Sequence, residues 1–241
     1  MLELKDLYGG YGKITILNGT SFAIPPASIT TVIGPNGAGK STVFKAIFGL
    51  LDIQSGQIVL DGDEVTGLTP KEMIRRGVTY VPQGRNVIPH LSVYHNLELG
   101  GISAPDPKVV ARRIETVMDQ FPMLREFRSR KAIELSGGQQ KQLEVARALL
   151  LEPKLILIDE PSIGLSPNLV QGVFDTLQKL RDNGVTILMV EQNAKAALAM
   201  SDYGIVLELG QTRMHDKADI LLNDPKVGHL FLGGHMEEEG V

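Results

Sequence analysis

Cysteine and tryptophan are absent from the 241 residues, and aromatic residues make up only 5% of them. Without thiols the chain has no disulfide, no thiolate zinc ligand and no cysteine nucleophile, and its compartment must be argued from other features. Basic charge is scarce as well. Lys and Arg number 24 against 28 Asp and Glu, a formal net charge of −4, with no long Lys/Arg block. A sequence-independent grip on nucleic acid is therefore not expected. Long apolar runs are missing too: the most apolar stretch, Val145 to Ile158, is interrupted by Arg147, Glu152, Pro153 and Lys154. That falls far short of the ~20 apolar residues a membrane span requires. The opening residues MLELKDLYGGYGK mix acid and base with no apolar core, so no cleavable signal peptide is expected.

What is present describes a globular chain. With 43% hydrophobic and 22% charged residues, it can bury a sizeable core as one large domain or a domain with a lobe. Leu2 to Leu7 alternates, while Ile29–Ile33, Val78–Val81, Leu155–Ile158 and Val185–Val190 are short apolar runs of the kind that form buried strands. Helical spacing over Ser41–Leu50 and Leu169–Leu180 alternates with them, which predicts a parallel sheet flanked by helices. Between Asn86 and Leu151 strand signals stop and helical patterns take over, including Pro107–Gln120 and Gly138–Leu151. We therefore expect one domain over 1–241, with a core from 1–85 and 152–241 and an inserted helical lobe at 86–151. Gly204 to His215 reads as a hairpin turning at Gly210-Gln211, followed by short helices and an acidic Glu237-Glu238-Glu239 tail.

Three motifs carry chemistry. Gly34-Pro35-Asn36-Gly37-Ala38-Gly39-Lys40-Ser41 fits G-x-x-x-x-G-K-[ST] between a predicted strand and a predicted helix. Glycines let the backbone curl so that successive N–H groups point inward, and the helix N-terminus adds to that anion site. In such loops the lysine, here Lys40, reaches the terminal phosphates and the hydroxyl, here Ser41, ligates Mg²⁺. The second motif is an apolar strand ending in Asp159-Glu160. It places one carboxylate near the metal and leaves the other, where the strand ends, free to orient or deprotonate a water attacking the γ-phosphate. The third is Leu135-Ser136-Gly137-Gly138-Gln139, a Ser-Gly-Gly turn opening a helix and thus a second anion site.

The phosphate loop and the Leu-Ser-Gly-Gly-Gln run together resemble the nucleotide-binding subunit of ATP-binding-cassette (ABC) transporters, and the resemblance covers essentially the whole chain. It implies an α/β P-loop NTPase fold with an N-terminal antiparallel β part, and ATP and Mg²⁺ as ligands. It implies ATP contacts from residues 34–41, from Thr42, and from Ser136, Gly137, Gly138 and Gln139. Tyr11 matches the aromatic that stacks on adenine, with Tyr8 a rival, and Gln83 matches the glutamine that reaches Mg²⁺ alongside Ser41 and Asp159. Glu160 takes the catalytic carboxylate's place. Ser162-Ile163-Gly164-Leu165-Ser166-Pro167 occupies the segment that contacts the opposite subunit, with Ser166 where many members have Asp. Gln192 stands where most members place a histidine against the γ-phosphate. A glutamine donates a hydrogen bond but carries no imidazolium charge, which rests hydrolysis more heavily on Glu160. His90, His95 and His215 read as surface residues.

Within the family, Val190-Glu191-Gln192-Asn193, Gly164-Leu165-Ser166-Pro167, Tyr11-Gly12-Lys13-Ile14 and Leu230-Phe231-Leu232-Gly233-Gly234 look like the second ATPase subunit of branched-chain amino acid importers, the LivF type. That resemblance implies ATP-driven closure of a head-to-tail dimer, Lys40 and Ser41 facing the partner's Ser-Gly-Gly turn. The partner would be a LivG-like ATPase or a second copy, beneath two integral membrane permease subunits at the cytoplasmic face of the membrane. The permease would dock near Arg85, Asn86 and Val87 and the lobe's Leu91–Leu99. Chromosome-maintenance ATPases of the family would need a coiled-coil insertion or a basic face. A non-hydrolysing interaction module would fit Gln192 and Ser166 but not the intact Lys40, Asp159 and Glu160; a small-molecule kinase would lack the signature run.

Overall fold

The computed structural model describes residues 1–104 and 106–231. The chain opens with β1 (Leu2–Tyr11), β2 (Ile14–Ile24) and β3 (Ile29–Ile33), then α1 (Lys40–Ile47), β4 (Asp52–Leu60), β5 (Asp63–Glu64), α2 (Pro70–Arg75) and β6 (Val78–Val81). A helical stretch follows: α3 (Val93–Gly100), α4 (Pro107–Gln120), α5 (Pro122–Glu126) and α6 (Gly137–Leu149). The chain then returns through β7 (Leu155–Asp159), α7 (Pro167–Asp182), β8 (Thr186–Val190), α8 (Ala194–Met200), β9 (Tyr203–Glu208), β10 (Gln211–Lys217), α9 (Ala218–Leu222) and α10 (Pro225–Phe231).

Two sheets result. One is antiparallel in the order β2-β1-β4-β5; the other runs β10-β9-β3-β8-β7-β6, parallel from β9 to β6 with β10 antiparallel at its edge. In β7 every side chain is buried, and successive residues serve different cores. Ile156 and Ile158 join Leu97, Leu143, Phe174 and Leu177 of the helices. Leu155 and Leu157 join Phe44, Ile47 and the antiparallel sheet's Leu2, Leu4 and Ile58. A strand covered on both faces reads as an unbroken apolar run, which is why the sequence displayed it so clearly. The first of these cores is continuous from the helices of 86–151 into the parallel sheet.

Several ends differ from the sequence expectation for local reasons. The helix expected over Ser41–Leu50 begins at Lys40 and stops at Ile47, followed by Phe48 and by Gly49 with φ 76°. The hairpin turns at Leu209-Gly210, both with positive φ (50° and 73°), the twist-matched geometry of two-residue hairpins. The strands β2 and β4 escaped notice because Asn18, Gly19 and Thr20 in one, and Gln54, Ser55, Gly56 and Gln57 in the other, break the apolar alternation. Leu232-Gly233-Gly234 and the acidic Glu237-Glu238-Glu239 lie outside the described residues. Among the described residues no helix is long and apolar enough to cross a membrane.

Candidate functional site

Four neighbouring parallel strands deliver the site. In spatial order β6, β7, β8 and β3 release Gln83, Asp159-Glu160, Glu191-Gln192 and the phosphate loop from the same carboxyl edge of the sheet. That edge is where open α/β sheets bind ligands.

The phosphate loop is held from beneath by the β9–β10 hairpin. Gly210 N donates to Ala38 O at 2.9 Å, and Gly210 O accepts from Asn18 N at 2.9 Å and Thr20 Oγ1 at 2.6 Å. Gly34 passes so close to that hairpin that a Cβ there would lie 2.1 Å from Leu207 O, so no side chain fits. Lys40 is the first residue of α1 and only 7% exposed. Its ammonium donates to Gly34 O at 2.8 Å and Pro35 O at 3.0 Å. Burial lowers its pKa, and the carboxylates of Glu160 and Asp159 oppose that shift.

Asp159 closes β7 at 2% exposure. Its Oδ2 accepts from Tyr80 Oη at 3.3 Å, while its Oδ1 is buried with no hydrogen-bond partner. Burial raises its pKa against the pull of the Ser41 and Tyr80 hydroxyls and of Lys40. Tyr80 is itself pushed well above its ordinary range, first by burial and then by Asp159. Among the described residues no cluster of three or more His, Asp or Glu could hold a metal alone. A Mg²⁺ ion that takes one or two protein ligands and the rest from phosphates and water fits this donor set, with Asp159 Oδ1 the orphaned atom it would satisfy.

Glu160 is directed by a turn and not by strand alternation. Its φ is 50° and its N–H donates to Val190 O at 2.9 Å, tying the end of β7 to the end of β8. Its Oε2 accepts from Gln83 Nε2 at 2.7 Å. Burial and then Asp159 raise its pKa, Lys40 and Gln83 lowering it, which keeps the carboxylate more basic than an exposed one. Glu160, Ser162, Glu191 and Gln192 line a cleft of ≈ 850 Å³ between α7 and α8. From there Gln192 Nε2 reaches Asn36 Oδ1 of the phosphate loop at 3.5 Å.

Tyr11 is 46% exposed with the Lys45 ammonium 5.5 Å from its ring centroid, one turn beyond Ser41 on α1. Tyr8, 41% exposed, instead lays its hydroxyl over Gly19. The side chains of His90, His95 and His215 are exposed, as expected.

The signature forms the start of α6. Ser136 Oγ accepts from Gln139 N at 3.4 Å, and Gln139 Oε1 accepts from Ser136 N at 2.9 Å, a reciprocal capping box. Among the described residues no hydrogen bond joins Ser136, Gly137, Gly138 or Gln139 to the phosphate loop. The two glycines back onto the segment after Glu160, a Cβ on Gly137 meeting Leu165 Cδ2 at 3.1 Å and one on Gly138 meeting Leu169 Cδ2 at 2.9 Å. The signature turn is thus packed against the segment after Glu160 and is not hydrogen-bonded to the phosphate loop.

Sequence reasoning missed Glu191. Only 1% exposed, its carboxylate accepts from Ser162 N at 2.8 Å, Ser162 Oγ at 2.7 Å and Gln192 N at 3.1 Å. The signal was a carboxylate directly after the apolar run of β8.

The family profile described as ABC transporter matches residues 17–163. The chain belongs to the ABC transporter family. It is 41% identical over 234 residues to the high-affinity branched-chain amino acid transport ATP-binding protein BraG of Pseudomonas aeruginosa, covering 97% of this chain and 100% of that protein. It is equally identical to the probable branched-chain amino acid transport ATP-binding protein LivF of Archaeoglobus fulgidus, covering 97% and 99%. A nucleotide-free ATP-binding cassette from an ABC transporter superposes with a TM-score of 0.88 at 28% identity, covering 97% of this chain and 99% of that one. A dimeric cassette in a post-hydrolysis state bound to ADP and Pi superposes at 0.77 with 27% identity, covering 90% and 99%. As a family member this ABC protein is an α/β P-loop ATPase that binds ATP and powers transport.

Proposed function

We propose that this ABC ATPase drives an importer of branched-chain or related amino acids by ATP-dependent closure of a head-to-tail dimer. The observation that carries this reading is the convergence of Lys40, Gln83, Asp159, Glu160 and Gln192 on one sheet edge. It occurs in a chain 41% identical over nearly its whole length to two branched-chain amino acid transport ATP-binding proteins.

In the mechanism we infer, the N–H groups of Gly34 and of residues 36–42 wrap the phosphates, Pro35 having none, and Lys40 exchanges the Gly34 and Pro35 carbonyls for the terminal phosphates. Tyr11 supplies a face for adenine. Ser41, Asp159 and Gln83 would hold Mg²⁺, which when bound neutralises charge on the β- and γ-phosphates. Glu160, raised in basicity and aimed by Gln83, takes the proton of the attacking water. Gln192 donates its amide to a γ-phosphate oxygen, steadying charge as water bonds to the γ-phosphorus and the bond from that phosphorus to the departing ADP breaks. Ser136, Gly137, Gly138 and Gln139 of the opposing subunit add the N-terminus of α6 to the same phosphates. Closure therefore depends on the γ-phosphate, and hydrolysis reopens the pair.

We assign 1–85 and 152–241 to the ATP-binding core and 86–151 to the signature lobe. The opposing subunit is a LivG-like chain or a second copy, and two permease subunits hold the pair at the cytoplasmic face of the membrane. A groove of ≈ 370 Å³ beside Gln83, walled by Phe48, Ile74, Asn86, Leu99, Ile102 and Ala148, supports a permease contact there. Affinity purification of the tagged chain from its native membranes tests the whole reading. We expect two permease subunits and a second ATPase, and ATP-driven uptake of labelled leucine after reconstitution that Glu160→Gln abolishes. Recovery of other membrane partners with no leucine uptake would overturn the solute class.

A further inference from the structure

We propose that Glu191 is a positioning residue that fixes Gln192 and the segment after Glu160 in one geometry, and so sets the turnover of the ATPase. The inference deepens the hydrolytic mechanism above and rests on it.

A buried carboxylate needs donors, and Glu191 finds its three on two different loops. Two come from Ser162, backbone N–H at 2.8 Å and hydroxyl at 2.7 Å, and one from Gln192 N at 3.1 Å. Ser162 lies two residues after Glu160, whose own N–H is tied to Val190 O. Gln192 in turn reaches Asn36 of the phosphate loop at 3.5 Å. A continuous line of polar contacts thus runs from the segment behind the proton acceptor, through Glu191, to the phosphate loop. Hydrogen bonds to a charged group are the stronger kind, and in a water-excluded site they fix direction as well as distance. The three donors observed on the carboxylate belong to Ser162 and Gln192, so its role is to orient those groups.

Replacing it with glutamine tests the geometry without changing volume. The amide keeps one acceptor oxygen and turns the other into a donor, so Ser162 and Gln192 can no longer both be satisfied. Steady-state ATPase assays on the full chain with Mg²⁺, together with fluorescent-ATP titration, supply the readouts. In Glu191→Gln we expect kcat to fall about tenfold, the loss from one charge-assisted hydrogen bond, while KM and ATP affinity change less than about twofold. Ser162→Ala should lower kcat less, Ser162→Thr should restore most of that loss, and the double variant Glu191→Gln with Ser162→Ala should be no slower than Glu191→Gln alone. A kcat in Glu191→Gln equal to the parent's, a loss carried by KM or affinity, or losses that multiply in the double variant would overturn the proposal. If Gln192→Ala is as fast as the parent while Glu191→Gln is slow, the phosphate role of Gln192 falls but the link through Ser162 to Glu160 stands.

Discussion

Glu144→Leu is the perturbation whose cost the structure lets one work out most directly. Glu144 and Lys141, one turn apart on α6, form an ion pair at 2.6 Å with side chains only 2% and 6% exposed. Neither partner serves the other alone. Glu144 Oε1 accepts from Asn86 N at 2.5 Å, and Lys141 Nζ donates to Gly84 O at 3.1 Å. Arg147 Nη1 reaches Asn86 O at 2.5 Å, and Asn86 Nδ2 reaches Pro82 O at 2.7 Å. The signature helix thereby holds the loop that carries Gln83. Leucine in place of Glu144 leaves a buried ammonium with one acceptor and a half-buried N–H with none. Breaking a buried pair from one side costs about 3–5 kcal/mol. For a chain of this size that lowers Tm by roughly 10 °C. Lys141→Met should cost about as much, because the carboxylate is then the stranded charge. The double variant Lys141→Met with Glu144→Gln keeps an acceptor for Asn86 N and strands no charge, so it should lose only about 1–2 kcal/mol, chiefly the bond to Gly84. Urea unfolding of the parent, Glu144→Leu, the double variant and its two component singles, Lys141→Met and Glu144→Gln, with m-values compared, measures the coupling. The exposed pair Lys154–Asp61, 3.5 Å apart at 67% and 46% exposure, is the control and should be nearly silent. Single variants costing under about 1 kcal/mol, or single losses that simply add in the double, would refute the reasoning.

Four further outcomes follow from the site. Lys40→Ala deletes the cation inside the loop and should raise the ATP Kd at least about tenfold in a fluorescent-nucleotide titration with Mg²⁺. Glu160→Gln keeps the shape and the contact to Gln83 but cannot take a proton; nucleotide binding should persist, kcat should drop by about a hundredfold or more, and gel filtration with ATP should show the dimer accumulating. Gln192→Ala should lower kcat about tenfold while Gln192→His preserves or raises it, and two variants with parental rates would end the γ-phosphate role of that side chain. Ser136→Arg should abolish ATP-dependent dimerisation in light scattering while the monomer binds ATP as the parent does, because in the proposed head-to-tail dimer Ser136 would serve the opposing subunit.

The parts of the fold legible in the sequence are those where one local rule acts alone. Strands β3, β7 and β8 are apolar on both faces because both faces are covered, so burial and periodicity agreed. The helix over Pro107–Gln120 was bounded correctly because Asp106 caps it and Pro107 starts it, while Phe121-Pro122 ends it. The phosphate loop and the Asp159-Glu160 turn were legible because their residue types are dictated by the chemistry. What stayed hidden depends on partners far apart in the chain. The support of Ala38 by Gly210 spans most of the sequence, and nothing local to either residue announces it. Glu191 entered the sequence reading only as a member of the Val190–Asn193 segment, and the approach of Ser162, 29 residues away, is what makes its carboxylate a buried hub. The direction of Glu160 was hidden for the same reason: the strand ends where the backbone turns to φ 50°, and the Glu160 N–H is tied there to Val190 on the next strand.

The segment from Ser162 to Leu169 touches both halves of the proposed mechanism. At its start Ser162 is bound by Glu191, and so follows the phosphate site of its own subunit. At its end Leu165 and Leu169 press on Gly137 and Gly138, the glycines that the head-to-tail arrangement sends to the phosphates of the other subunit. A Cβ on Gly138 would stand 2.9 Å from Leu169 Cδ2, so the segment and the signature turn are packed against each other. In a closed pair, the occupancy of one site would thus be felt at the other through a single packed stretch of about eight residues in each subunit. Coupling of this kind is reciprocal: whatever the γ-phosphate at one site contributes to the placement of its own segment, the signature contact at the second site returns to the first. It is also bounded, because each nucleotide can bias the pair only by the difference in its affinity for the open and closed arrangements. The hydrogen bonds on Glu191 and the packing on Gly138 are where that difference would be generated and received.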